Sequence, residues 1–364
     1  MGKTTTTGDA PAAPAPPGPQ ERRPLRSSVL AVLSRDLYVD LALVAALVLL
    51  LVIFGAASHG REFLETNLVN ILDSGSILGV VTVGEVIVMI SGNLDISVGS
   101  TAGLVSAALA EVMAHAHANL ALGLVAAVAT GLVAGLINGA AVAYARINSV
   151  IATLATSSAF LGVALLVTGG NEVGISSSFL GTLGTGSIAS VPYLVIVLIV
   201  AALIAIWVMR YTLGGHTVYA VGGSQQASRL AGINVQRYIF VVFLVSGVCA
   251  AIAGVMLAGQ TGTAQPTEGS VGLELTAITA VLLGGTGLSG GTGTVLGAVL
   301  GVLVLSTLDN GLLLLGVPTF WQEVATGVVL LIAVALQDFS GHRARWRALR
   351  AARRRAQRAA AGAR

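Results

Sequence analysis

The sequence predicts an all-α polytopic membrane protein of about ten transmembrane helices, some of them broken or re-entrant. Two properties of the whole chain lead to this prediction. Its 364 residues are 55% hydrophobic and only 10% charged, whereas soluble domains carry about 25% charged residues. The mean hydropathy is +0.89. A soluble core of this size cannot bury so much apolar surface, so lipid must solvate much of the chain.

Apolar runs of membrane length define the candidate helices, since a span needs roughly 17–25 residues. Ten such runs cover residues 38–57, 67–91, 97–114, 119–144, 148–169, 190–210, 238–259, 275–289, 293–316 and 318–337. The runs at 97–114, 275–289 and 318–337 are short, and we expect them to be tilted, broken or re-entrant.

Two polar tails flank this predicted transmembrane domain, residues 38–337. Residues 1–37 hold six of the nine prolines, a composition typical of a disordered tail. Residues 338–364 hold nine arginines. Attraction to anionic lipid headgroups accounts for them more simply than binding of nucleic acid. We expect both tails to be cytoplasmic.

The distribution of basic residues supports an even number of crossings. Ten crossings from a cytoplasmic N-terminus place 18 of the 19 lysine and arginine residues on the cytoplasmic side, and only Arg61 outside. Cytoplasmic loops are enriched in these residues. Both chain ends are therefore predicted to lie inside.

A polar interruption follows the second apolar run. Residues 90–100 read Ile-Ser-Gly-Asn-Leu-Asp-Ile-Ser-Val-Gly-Ser. A broken helix persists in a bilayer only where protein or a wet cavity surrounds it, and an intramembrane Asp95 is costly. Asp95 and Ser97 could cap a helix that starts near Val98, or line a path for a polar solute. Both alternatives stay open, and the feature favours transport.

Seven polar residues within the apolar runs are candidates for lining such a path. They are Glu85, Asn93, Asp95, Ser97, Asn138, Asp309 and Asn310. Carboxylate and amide groups bind hydroxyl-rich solutes well. Asn138 and Asn310 could instead form only interhelical hydrogen bonds. Glu85 could be protonated, or could pair across a helix interface.

The loop at 211–237 is the longest one predicted on the cytoplasmic side. Within it, residues 225–231 are good helix formers and Gly232 is placed to end the helix. Such a short helix on the membrane face could press against a cytoplasmic partner and pass force to the spanning helices. The candidate coupling residues are Gly223, Gln226, Ala227, Ser228, Arg229 and Gly232.

Glycine patterns predict close helix packing and an internal repeat. Two ladders of four-residue spacing are typical of close backbone approach in lipid: Gly131, Gly135 and Gly139, and then Gly293, Gly297 and Gly301. Residues 91–100 also resemble the glycine-rich residues 284–291. Paired broken segments in two halves of a chain often mark a transport site.

The sequence predicts neither a catalytic site nor a binding site for a metal or a cofactor. It holds no Ser-His-Asp or Cys-His arrangement, and the glycine-rich loop lacks the Gly-Lys-Ser/Thr of a phosphate loop. Glu111, His115 and His117 are expected to be polar residues at the membrane interface, because a metal site needs at least three rigid ligands.

Four ordered blocks resemble the permease subunits of ABC importers for ribose, xylose and similar monosaccharides. Residues 93–100 are similar to the family's Gly-x-Asp-Leu-Ser-Val-Gly-Ser, and residues 225–233 to its Pro-Glu-Ala-Ala-Arg-Leu-Ala-Gly-Ile. Here Gln226 replaces the glutamate, which removes a charge, and Ser228 replaces the second alanine. Residues 284–293 and 320–322 resemble the glycine-rich and Phe-Trp-Gln blocks.

The resemblance implies a fold like that of type II ABC importer permeases in the cytoplasmic membrane, and three protein partners. A separate ATP-binding subunit would dock on residues 211–237. An extracytoplasmic sugar-binding protein would meet loops such as 170–190 and 260–274. A second permease chain, usually a copy, would complete the pathway. Two alternatives remain: a permease for branched-chain amino acids, and an ion-coupled secondary transporter using Glu85, Asp95 and Asp309.

Overall fold

The structure is a computed structural model that describes residues 25–115, 119–267, 269, 272–318 and 320–335. The chain divides into two units, residues 1–35 and residues 36–364. Most of the predicted N-terminal tail and all of the C-terminal tail lie outside the described residues. Residues 25–37, assigned to the tail from sequence, are instead helical. They contain no proline or glycine that would end the helix.

Thirteen helices are present in the described part of the chain. In order they are α1 Leu25–Ala57, α2 Glu65–Ile90, α3 Val98–His115, α4 Leu120–Gly139, α5 Ser149–Thr168, α6 Ser178–Thr185, α7 Tyr193–Tyr211, α8 Leu213–Gly223, α9 Gln225–Leu230, α10 Val235–Thr261, α11 Leu273–Leu283, α12 Val295–Leu314 and α13 Phe320–Ala335. A 3-10 turn covers Arg61–Phe63, and a π-helical turn, Ala140–Tyr144, extends α4.

Four strands of two residues each join the helices. Strand β1, Val173–Gly174, pairs antiparallel with β4, Thr263–Ala264. Strand β2, Ser187–Ile188, pairs antiparallel with β3, Val191–Pro192. The fold of the described residues is otherwise helical, as predicted.

Each of the ten predicted segments coincides with one apolar helix. Seven helices are long and apolar enough to span a bilayer: α1 over residues 37–57, α2, α4 with its π-helical extension, α5, α7, α10 and α12. The three segments predicted to be short correspond to α3, α11 and α13. The predicted run 275–289 is shorter than expected, because α11 ends at Leu283 and a loop continues to Thr294.

Helices α2 and α10 form the centre of the packing. Helix α10 packs against α2, α3 and α4, while α2 also contacts α7, α11 and α12. The first glycine ladder lies where α4 meets α10: a Cβ on Gly135 would come within 2.7 Å of the Phe243 carbonyl oxygen. Gly301 approaches the Ala280 carbonyl of α11 in the same way, and Gly297 approaches the carbonyl of Gly284, the residue that follows α11. Gly293, however, lies in the loop before α12 and is not part of the helical ladder.

The two ends of α2 identify two opposite ends of the bundle. Its last residue, Ile90, contacts Gly222 of α8. Its first residue, Glu65, lines a groove together with Gly184 of α6 and Pro192 of β3. Helix α2 has 26 residues and is therefore about 39 Å long. The short helices α8 and α9 thus lie at the end of the bundle opposite α6 and the β2–β3 pair.

Candidate transport and coupling sites

The interruption between α2 and α3, here called the first break, begins with a glycine in the left-handed conformation. Gly92 has a φ of 83°. Its N–H donates to the Met89 carbonyl at 2.9 Å, and the Asn93 N–H donates to the Val88 carbonyl at 3.2 Å. This is the Schellman pattern, which satisfies the last carbonyls of a helix. Helix α3 then begins at Val98, where the sequence predicted it.

Hydroxyl groups on α5 satisfy the backbone of the first break. The Leu94 N–H donates to Ser149 Oγ at 3.2 Å, and the Ile96 N–H donates to Thr153 Oγ1 at 3.0 Å. Residues four apart lie on one helix face, so one side of α5 reaches both N–H groups. This pair was not predicted from the sequence. Its only signal was two hydroxyl residues at helical spacing in an apolar segment.

Asp95 is held by three hydrogen bonds and is only 3% exposed. Its Oδ1 accepts from the Ser97 N–H at 3.0 Å and from Ser97 Oγ at 2.7 Å, closing the turn before α3. Its Oδ2 accepts from Ser246 Oγ of α10 at 2.8 Å. The carboxylate therefore joins the first break to the central helix.

Glu85 and Asn138 extend this polar group on two sides. The Asp95 N–H donates to Glu85 Oε1 at 3.2 Å. Asn138 Nδ2 donates to Ser97 Oγ at 2.7 Å and its Oδ1 accepts from Thr156 Oγ1 at 2.6 Å. The four residues of this group that the sequence predicted are all buried. Glu85, Asp95, Ser97 and Asn138, with Thr156 and Ser246, are called the break cluster below.

Asn93 and the two polar residues of α12 lie outside the break cluster. Asn93 Nδ2 donates to Ser91 Oγ at 2.9 Å, within the turn that ends α2. Asp309 and Asn310 are half-buried, and each has a buried Oδ1 without a hydrogen-bond partner. The seven predicted path residues thus fall into separate groups.

Asp309 lines a cavity of about 640 Å³ between α11, α12 and α13. Thr276 and Thr279 of α11 and Gln322 and Thr326 of α13 also line it. Helix α11 has 11 residues, about 16 Å, or roughly half of a hydrocarbon core. A half-length helix beside non-helical chain is a common setting for transport sites. Polar side chains here can contact a solute without first breaking the cluster around Asp95.

Helix α9 lies in the predicted coupling loop and has the predicted form. It starts after Ser224, whose Oγ accepts from the Ala227 N–H at 3.2 Å. Its last residue is Leu230. Gly232, just beyond the C-cap, has a φ of 81°, and its N–H donates to the Arg229 carbonyl. The prediction of a short helix ended by Gly232 is confirmed.

The exposed residues of α8 and α9 include two large apolar side chains. Leu213 and Leu230 are 88% and 84% exposed. Gly223, Gln226, Ala227 and Arg229 are also exposed. Ser228 is instead buried, and its Oγ donates to the Ala220 carbonyl of α8 at 3.0 Å. The hydroxyl that replaces the family's alanine thus fixes α9 to α8.

The loop between α11 and α12, here called the second break, begins as the first break does. Gly285 has a φ of 83°, and its N–H donates to the Leu282 carbonyl at 3.0 Å. The Thr286 N–H donates to the Val281 carbonyl at 3.2 Å. The likeness between residues 91–100 and 284–291 therefore corresponds to a shared backbone conformation.

The predicted interfacial residues lie at the end of α3. Glu111 Oε2 is 3.2 Å from Nδ1 of His115, and His117 lies outside the described residues. Within the described ranges, no group of three potential metal-ligating side chains is found.

Comparison with known proteins identifies the family. The family described as "Branched-chain amino acid transport system / permease component" matches residues 67–334, which contain both breaks, the cavity and α9. The chain belongs to this permease family. No solved structure gives a significant match.

Several curated relatives of the permease are similar over most of their length. The ribose import permease protein of Escherichia coli K12 is 35% identical over 82% of this chain and 92% of its own. The ribose import permease protein of Bacillus subtilis is 37% identical over 76% and 86%. The xylose transport system permease protein of Haemophilus influenzae is 32% identical over 79% and 93%. The resemblance predicted from the sequence blocks is confirmed, and the permease is a multi-pass membrane protein without a catalytic role of its own.

Proposed function

We propose that this permease imports a five-carbon sugar such as ribose or xylose through the cytoplasmic membrane. A separate ATP-binding subunit drives the import, and an extracytoplasmic binding protein delivers the sugar. The observation that carries the proposal is the extent of the match to ribose and xylose permeases, which covers at least 76% of the chain in each comparison reported above. A match of that length includes both the cavity that would conduct the solute and the helix α9 that would contact the ATP-binding subunit.

The cavity beside Asp309 is the proposed sugar-contacting part of the pathway. Asp309 lines this cavity, and sugar hydroxyls are donors that carboxylates accept well. The hydroxyls of Thr276 and Thr279 donate to carbonyls of their own helix, which leaves their oxygens able to accept. We assign the break cluster the different role of holding the first break in place.

The exposed face of α9 is the proposed contact for the ATP-binding subunit. The exposed Leu230, with the exposed Gln226 and Arg229 on the same short helix, suits burial against a soluble partner. The charge missing at Gln226 means that this position contributes packing and neutral hydrogen bonds, whereas the guanidinium of Arg229 can still form charged ones. Docking here would place the ATP-driven movement directly on the α8–α9 unit.

The proposed topology has ten crossings and both chain ends in the cytoplasm. It agrees with the distribution of basic residues, and it puts α8 and α9 on the cytoplasmic side. Helices α3, α11 and α13 are then partial or tilted crossings. A second copy of the chain would complete the pathway, in an arrangement like that of type II importers.

Uptake by cells of the source organism tests the proposed function. Cells with and without this gene are given labelled ribose, xylose or leucine. We expect deletion to remove uptake of one of the sugars and to leave leucine uptake unchanged. Arsenate, which depletes ATP, should stop the uptake, and a protonophore in cells whose ATP is maintained should not.

Each alternative function has its own signature in this experiment. Loss of leucine uptake on deletion would support an amino-acid permease and refute sugar import. Sugar uptake that stops with the protonophore while ATP is unchanged would point to an ion-coupled carrier.

Variants of α12 test the assignment of the cavity. Asp309→Leu removes the accepting oxygen, so we expect sugar uptake to fall about tenfold, the cost of roughly one charged hydrogen bond. Leu313→Ala on the same helix, at an exposed position, is the matched control and should transport normally. Equal uptake by both variants at equal membrane levels would exclude Asp309 from the pathway.

A further inference from the structure

The end of α8 contacts both breaks through backbone atoms alone. A Cβ on Gly222 would overlap the Ile90 carbonyl oxygen, at the end of α2, and would lie 2.6 Å from the amide nitrogen of Gly291 in the second break. Such distances leave no room for any side chain. Gly222 is therefore in direct van der Waals contact with both interrupted segments.

The two breaks also contact each other at this point. The Gly291 N–H donates to the Ile90 carbonyl at 2.8 Å. A Cβ on Gly290 would lie 2.6 Å from the Cα of Gly92. Gly92, Gly222, Gly290 and Gly291 are called the glycine junction below. It joins two segments nearly 200 residues apart in sequence with the helix that precedes α9.

Helix α9 is fixed to the glycine junction by short, defined links. Ser228 of α9 is bonded to the Ala220 carbonyl, two residues before Gly222. Tyr219, one turn earlier on α8, donates its hydroxyl to the Gly293 carbonyl of the second break at 2.9 Å. A displacement of α9 must therefore carry the end of α8 with it.

We propose that the glycine junction is the coupling element of this permease: it passes a displacement of α9 to both breaks at once. Backbone atoms in contact cannot relax by changing rotamers, and close-packed interiors transmit strain. The first break then moves the start of α3, while the second moves the end of α11, whose other end borders the cavity. The four glycines and Tyr219 are positioning residues in this scheme, and none of them contacts the sugar. The inference rests on the proposed function, since it requires an ATP-driven partner on α9.

A glycine-to-alanine variant tests the glycine junction in the whole transporter. The complex is purified from its own cells through a tag on this permease. Basal ATP hydrolysis and its stimulation by the sugar-loaded binding protein are measured separately. Gly222→Ala should leave basal hydrolysis intact but lower both the stimulation and the uptake about tenfold, within the usual range of coupling between sites. Gly162→Ala on α5, where a Cβ meets nothing within 4 Å, is the matched control and should behave as wild type.

A second variant keeps the test decisive if Gly222→Ala does not assemble. Tyr219→Phe removes one hydroxyl and no volume, so we expect a normal complex with stimulation reduced about fivefold, the value of one hydrogen bond. Normal stimulation in the Tyr219 variant, or in an assembled Gly222 variant, would overturn the inference while leaving the proposed function intact. A wild-type complex whose hydrolysis does not respond to sugar would overturn both.

Discussion

The two breaks of this permease end their helices in the same way but are held by different means. Gly92 and Gly285 share a φ of 83° and the same pair of hydrogen bonds to the preceding helix. Beyond that point, the first break is held by polar side chains of α2, α4, α5 and α10. The second is held largely by backbone contacts between glycines. One backbone problem, the interruption of a helix inside a membrane protein, thus has two solutions.

The difference sets what each break tolerates. A hydrogen-bonded polar cluster is damaged when one member loses a hydrogen-bonding atom. The glycine contacts are made by main-chain atoms, among them the Gly291 N–H and the Ile90 carbonyl, and they are damaged when a methyl group is added. The first break should therefore respond to isosteric loss of polarity, and the second to small increases in volume.

The largest expected effect is that of Asp95→Ala in the first break. The change removes three accepted hydrogen bonds and leaves Ser97 and Ser246 donors buried without their partner. At roughly 1–3 kcal/mol for each unsatisfied buried group, we expect a loss of about 3 kcal/mol of unfolding free energy, and of uptake with it. Denaturation of the purified permease in detergent micelles measures the first quantity.

Asp95→Asn is the matched control for this prediction. It retains one accepting oxygen for Ser97 and nearly the same volume, so its loss should be clearly smaller. If the alanine variant unfolds at the same denaturant concentration as wild type, the cluster does not hold the break.

Several features of the two breaks could be predicted from sequence because their causes are local. The start of α3 at Val98, the form of α9 and its termination by the left-handed Gly232 follow from neighbouring residues. The likeness of residues 91–100 to 284–291 also proved to be a shared backbone geometry. In these cases the hydrogen bonds join residues only a few positions apart.

Other features depend on contacts that are distant in sequence. Ser149 and Thr153 bond to residues 55 and 57 positions earlier, so nothing near them reveals their partners. The separation of Asp309 from Asp95 depends on which helices pack together, and composition says nothing about that. The polar residues of the candidate sites could therefore be predicted from the sequence, but their division between a buried cluster and a cavity could not.

A smaller effect is expected from Thr153→Val, which tests the support from α5. The substitution keeps the shape of the side chain but leaves the Ile96 N–H without its acceptor. One unsatisfied backbone group should cost about 2 kcal/mol. Ser158→Ala serves as the control, because its hydroxyl is exposed and donates only to the Leu154 carbonyl of its own helix. Unfolding of the two variants at the same denaturant concentration would show that water or another group replaces the Thr153 hydroxyl.

The smallest effect should come from alanine at the two glycines that the breaks share. Gly92→Ala and Gly285→Ala both place a side chain on a residue with a φ of 83°. The left-handed conformation costs about 1 kcal/mol for a residue with a Cβ. A Cβ on Gly92 meets nothing closer than 3.7 Å, while one on Gly285 meets a Val39 methyl at 3.0 Å, a contact that a shift of a few tenths of an ångström relieves. We therefore expect nearly equal losses of unfolding free energy, measured in the same micelles. A loss several times larger at Gly285 would mean that Val39 of α1 packs rigidly against the second break. The two breaks would then share a backbone conformation but differ in how much each glycine contributes to stability.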